Sequence, residues 1–163
     1  MEKQTSIDIL YEITISRLRL QLDRIDGIDT KIGVIFGLTN GIVAALVAFV
    51  TFVTPPVPQL ALIFTILSAL AYVATLILLF FAYRGGRWSF RPEIKTLKNI
   101  CADPRYHDYP EIVKTWVAGE CIRSLDSNSR PLTNKTRRAY RALGSVTVQG
   151  ITLAVSCICY FLS

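Results

Sequence analysis

The sequence predicts an all-α membrane protein, and three observations carry that expectation. The stretch Ile32–Tyr83 contains no Asp, Glu, Lys, Arg or His. Pro55, Pro56 and Pro58 divide it near its middle into two apolar runs, 32–53 and 59–83. Of the 18 Lys and Arg, five precede this stretch, thirteen follow it, and none lies in the proline turn. Each run has about the 20 residues that cross a hydrocarbon core as a helix. A helix is required because lipid offers no partner to backbone N–H and C=O groups. Proline cannot be carried through a helix interior without losing a hydrogen bond, so the chain turns at Pro55–Pro58 and forms a transmembrane hairpin.

Composition agrees. The 163 residues are 52% hydrophobic with a mean hydropathy of +0.41, a balance that soluble domains of this size rarely combine with two charge-free spans. The opening Met-Glu-Lys-Gln-Thr-Ser has no basic segment running into an apolar one, so a cleaved signal peptide is not expected. Lys and Arg concentrate on the inner side of membrane proteins. Both flanks are therefore expected in the cytoplasm and the proline turn outside. The flank before Ile32 has five basic residues against six acidic; the segment 84–141 has thirteen against six. The basic surplus of the chain thus comes from 84–141.

In order, residues 1–31 are expected as a cytoplasmic amphipathic helix. Tyr11, Leu18, Ile25 and Ile32 form a seven-residue row, as in a coiled-coil seam. Nothing stops this helix before the first span, so one long helix is expected. In that span Gly33, Gly37, Gly41 and Ala45 recur every four residues, the small-residue pattern that lets helix backbones approach closely in lipid. Asn40 lies beside the stripe, where an amide in hydrocarbon needs a partner or water. It either bonds a neighbouring helix or lines a pore. In the second span Ser68, Tyr72 and Thr75 form a thin polar line. Tyr83, Arg84, Arg87 and Trp88 are expected to anchor the inner interface, with Gly85-Gly86 ending the helix.

The segment 84–141 is expected to be cytoplasmic and helical: a short helix over about 92–102, a loop around His107, then a helix from Pro110 to about 125–128. Ile112, Trp116 and Ile122 are its expected apolar face. Ser127–Pro131 is expected to break it. A last helix then loses all charge over 142–163, a third span that enters from inside; a buried cytoplasmic helix is the competing reading. Gln149 in this span must face other helices or water.

Chemistry is sparse. His107 is the single histidine, and no Ser/His/Asp or Cys/His set can be assembled. The acidic residues lack metal-ligand spacing. Cys101, Cys121, Cys157 and Cys159 show no framework spacing and are expected as reduced, inert thiols. No enzyme, metal or cofactor is expected. The polar concentration is basic. Lys135, Arg137, Arg138 and Arg141 cluster, joined by Arg105 and Lys114 and interleaved with Trp116 and Tyr140. Such a set either rests on anionic lipid or receives an anionic ligand through guanidinium forks and stacking rings.

The pattern Arg24-Ile-Asp26-Gly-Ile-Asp29-Thr-Lys31 leading into Gly33…Asn40-Gly41 resembles small multi-span effectors of bacterial antiphage defence, the SLATT-domain and Pycsar transmembrane types. Leu125…Asn128…Lys135…Tyr140…Leu143 looks like their final helix. The Hailong membrane effectors are a similar group. The resemblance implies a homo-oligomeric pore or membrane disruptor of the inner membrane that acts in abortive infection. Its signal would be a nucleotide or oligonucleotide, made by a neighbouring nucleotidyltransferase or cyclase. In that reading the basic residues bind the signal, while Gly33, Gly37, Gly41, Asn40 and Gln149 pack helices or line the pore. The alternative is a constitutive holin-like toxin or a membrane scaffold without ligand.

Overall fold

The structure is a computed structural model that describes residues 5–53, 57–84, 88–89, 94–103, 105 and 109–162. Among these residues four helices follow one another: α1 Ser6–Phe52, α2 Gln59–Tyr83, α3 Ile94–Ala102 and α4 Pro110–Phe161. No strand occurs among the described residues. Three of the four, α1, α2 and α4, are long and apolar enough to cross a membrane. The chain divides into two compact units. The first combines Met1–Asp26 with Gly86–Thr133, the second Gly27–Gly85 with Asn134–Ser163.

Helix α1 is continuous, as its sequence predicts. Its start is fixed locally. The Thr5 hydroxyl and backbone N–H both donate to the Asp8 carboxylate, at 2.7 and 3.0 Å, and Asp8 N–H points back at Thr5 Oγ1 at 3.4 Å. This reciprocal arrangement satisfies amide groups that a helix start leaves unpaired. Helix α2 has the expected bounds, and its 25 residues reach about 37 Å at 1.5 Å per residue, enough for a core of about 30 Å.

Helix α4 departs from expectation. It runs 52 residues without a break, with Pro131 inside it. An interior proline costs about 3 kcal/mol, so packing must offset it. Within the first unit Asn128 is fully buried. Its Oδ1 accepts from Ser89 N–H at 2.8 Å and its Nδ2 donates to Ser89 C=O at 2.9 Å. Three hydroxyls near the proline, on Ser127, Ser129 and Thr133, bond back to carbonyls of their own helix. The turn signal read from Ser127–Pro131 is overridden by tertiary contact, as weak local preferences are.

In the first unit α1 and α4 run side by side in the same direction. Lys114 pairs with Asp8 and Gln21 Nε2 donates to Leu125 C=O at 3.2 Å. The expected apolar face of this part of α4 is corrected. Ile112 and Ile122 are exposed and Trp116 is half-buried, whereas Val117, Ala118, Cys121, Ser124 and Asn128 are buried. Small residues at three- and four-residue steps win the inward position because they let the helices approach closely.

The interior of the second unit holds a hydrophobic cluster and, deeper along the spans, fully buried polar side chains. Its hydrophobic cluster joins Ile32, Ile35, Leu79, Ala82, Ala139, Ala142 and Val146. Deeper along the spans the fully buried side chains are Thr39, Ser68, Thr75, Gln149 and Ser156, all at 0% exposure. Large apolar side chains face out instead, among them Phe36, Leu60, Leu70, Phe80 and Ile151. A soluble protein buries such residues. Here the surface is what lipid prefers, and the interior takes in the polar side chains that lipid penalises.

The proline turn at 54–56, the interface residues 85–87, Phe90 to Glu93, and Pro104 with Tyr106, His107 and Asp108 lie outside the described residues. So do Pro55, Pro56, Arg87 and His107, and with them the helix start expected at about residue 92.

Candidate functional site

The candidate site is the second unit, with its interior hydrogen bonds and its basic end. Thr39 Oγ1 donates to Gln149 Oε1 at 2.6 Å, and Gln149 Nε2 approaches Thr39 C=O at 3.4 Å. Ser68 Oγ donates to Gln149 C=O at 3.1 Å. Thr65 and Ser156 share a 2.8 Å bond, and Ser156 donates to Ala61 C=O at 2.7 Å. Ser145 donates to Ala71 C=O at 3.0 Å. These contacts pair α1 with α4 in the same direction and set α2 antiparallel to both. Sequence reading singled out Gln149, the Ser68 line and Thr39 beside Asn40, but not Thr65, Ser145 or Ser156. Their one signal was hydroxyls in otherwise apolar runs.

Asn40 is also engaged. Its Nδ2 donates to Phe36 C=O at 2.9 Å, and its Oδ1 accepts from Tyr72 O–H at 3.2 Å. Of the two alternatives for Asn40, the interhelical bond is the one present. Gln149, at 0% exposure, is likewise packed between helices. Outward hydroxyls bond their own helix: Thr51 to Ala48 C=O, Thr147 to Leu143 C=O, Thr152 to Val148 C=O. Lipid requires this internal satisfaction.

Gly33, Gly37 and Gly41 face open space among the described residues. A Cβ built on any of them meets no atom within 4 Å. Gly37, Gly41 and Ala45 instead line a shallow groove with Gly150 and Ala154 of α4. The stripe that favours close helix contact is left open.

Charge in the second unit gathers at one end. Lys135 is only 4% exposed, and its Nζ lies 2.7 and 2.6 Å from the two carboxylate oxygens of Asp29. It is therefore turned inward, away from the exposed Arg137, Arg138 and Arg141 with which sequence grouped it. No local pattern could have revealed a partner 106 positions away. Arg138 Nη1 donates to Phe81 C=O at 2.8 Å and its guanidinium sits 5.9 Å from the Phe81 ring. A cation there meets the last carbonyls of α2, where the helix dipole is negative. Tyr140 is exposed.

The remaining expected ligand residues fall in the first unit. Arg105 is paired with Asp103 at 2.7 Å. Lys114 is paired with Asp8, and Trp116 is half-buried. Hydrogen bonds from Lys114 first, then from Thr5, hold the Asp8 carboxyl down to about 2, and the same contact raises Lys114. Burial pushes the Cys121 thiol up. Cys121, Cys157 and Cys159 are free thiols. Among the described residues no group of three or more His, Cys, Asp or Glu is placed to hold a metal ion. Comparison of the chain with protein-family models, curated proteins and solved structures returned no match.

Proposed function

We propose that this protein is a three-span membrane effector that assembles with copies of itself and answers an anionic signal at its basic end. The observation that carries the reading is the inverted second unit: hydroxyls and amides bonded inside, large apolar side chains outside, basic residues at one end. The open Gly33, Gly37 and Gly41 stripe supports self-association, because close backbone contact is what joins helices in lipid. Orientation with the basic end in the cytoplasm follows from the distribution of Lys and Arg.

Arg137 and Arg141 are exposed cations with no ion pair among the described residues, which suits them to a nucleotide or oligonucleotide. Lys135 is removed from that set by its pairing with Asp29. The antiphage setting and the inner membrane rest on the resemblance of Arg24–Gly41 to known effectors. In this reading any pore lies between copies. Within one copy Thr39 is bonded to Gln149 and Tyr72 to Asn40. The signal shifts the balance between open and closed assemblies by its differential affinity for them.

Dye release from vesicles carrying the purified protein tests the reading, with and without cyclic nucleotides and short oligonucleotides. Release that depends on a nucleotide and disappears in an R137Q/R141Q variant is expected. Release that ignores every nucleotide favours a constitutive holin-like toxin. Absence of release with intact insertion favours a scaffold, a reading supported by the fact that Asn40 and Gln149 are already paired.

A further inference from the structure

We propose that the second unit carries a binding groove for one anionic phospholipid, with the acyl chain along α1 and α4 and the phosphate at Lys31. The groove has a volume of about 250 Å³. Its apolar length is built by Ile28, Val34, Ile35 and Leu38 of α1 and by Ala139 and Leu143 of α4. Lys31, Thr136 and Tyr140 line the same groove. The proposal rests on the membrane reading above and deepens it.

Three features commit the groove to lipid. The first is its length. From Lys31 to Leu38 the helix rises about 10 Å, the larger part of one leaflet of a core about 30 Å thick. The second is its direction. Past Lys31 on α1 and Tyr140 on α4 the walls are wholly apolar, with Val34, Ile35 and Leu38 on one helix and Leu143 on the other. That gradient runs from headgroup to chain. The third is charge. Lys31 is exposed and has no hydrogen bond or ion pair among the described residues. Its neighbours differ: Asp29 is occupied by Lys135. Tyr140 has the ring-and-hydroxyl form that settles at headgroup depth. A soluble anion would use Lys31 and leave the apolar walls bare.

The test uses the full chain in detergent micelles. Fluorescent phosphatidylglycerol and phosphatidylcholine of equal chain length are titrated, with inorganic phosphate as competitor. Vesicle flotation is run in parallel. Phosphatidylglycerol is expected to bind more tightly than phosphatidylcholine, and phosphate not to displace it. Lys31→Gln is expected to weaken phosphatidylglycerol about fivefold, the worth of one cation near an anionic surface, and to leave phosphatidylcholine unchanged. Val34→Trp, at an exposed position that closes the groove, is expected to weaken both lipids. Equal affinity for the two lipids overturns the proposal, as does a Lys31→Gln variant that binds phosphatidylglycerol like the parent. Displacement by phosphate alone makes Lys31 a free-anion site and also overturns it. If the protein floats with vesicles while these results fail, only the groove is lost. If it does not float, the membrane reading is lost and the groove with it.

Discussion

Leu70 and Leu20 have nearly the same exposure, 60% and 59%, and the same substitution at each should have opposite consequences. Leu70 lies near the centre of α2 in the second unit; Leu20 lies on α1 in the first. Replacing Leu70 by Lys exchanges a residue that favours insertion by about 0.3–0.6 kcal/mol for one that opposes it by about 2.5–3.5. The change is about 3–4 kcal/mol, on the order of a hundredfold or more in the inserted fraction at 1.4 kcal/mol per tenfold. Leu20→Lys alters an exposed surface position outside the apolar spans and should stay within about 0.5 kcal/mol of the parent. Insertion into microsomes, read by protection of α2 from protease, measures both. The reasoning is refuted if Leu70→Lys inserts like the parent. It is refuted equally if that variant becomes monodisperse in buffer without detergent, because an exposed leucine on a water-facing helix gains solubility from lysine.

Other consequences follow from the same contacts. Gln149→Leu removes the partner of the Thr39 hydroxyl. It should lower stability in micelles by about 0.6–1.7 kcal/mol, the range measured for side-chain hydrogen bonds between membrane helices; a rise in stability would show that the pair is not formed. Asp8 sits at about 2 rather than its ordinary 3.8, so its folded value lies below its unfolded one. The stability this contributes is fully present above about 3.8 and is lost as pH falls towards 2. Thermal melts of the parent and of Asp8→Asn between pH 5 and pH 2 should converge as the pH drops; parallel curves would deny the coupling. Pro131→Ala should raise the unfolding free energy of α4 by up to about 3 kcal/mol. A loss of stability there would mean that the proline sets a bend the packing requires.

The spans were legible from composition because the demand is local. A charge-free length either reaches across a hydrocarbon core or does not, and α2 has the bounds its sequence predicts. The continuity of α1 was legible for the same reason, since nothing between Thr5 and Phe52 interrupts it. The seven-residue row was legible too: Ile25 and Ile32 are buried within their own units. Rotation of the spans was not. In water the apolar stripe of a helix marks its inner face. In lipid that rule lapses, and the inner face is chosen by hydroxyls and amides that must find partners.

Those partners are far apart in the chain. Thr39 meets Gln149 across 110 positions, and Asp29 meets Lys135 across 106. Sequence placed Lys135 in a basic cluster; packing turned it inward to a carboxylate. Sequence also read Ser127–Pro131 as a stop; the Asn128 contacts with Ser89 carry the helix through. What the residues alone determined was which stretches are apolar enough to enter a bilayer and where the cations gather. The folded chain alone decided which side chains meet inside it and which glycines stay open, because pairing depends on the mutual rotation of helices that local periodicity does not encode.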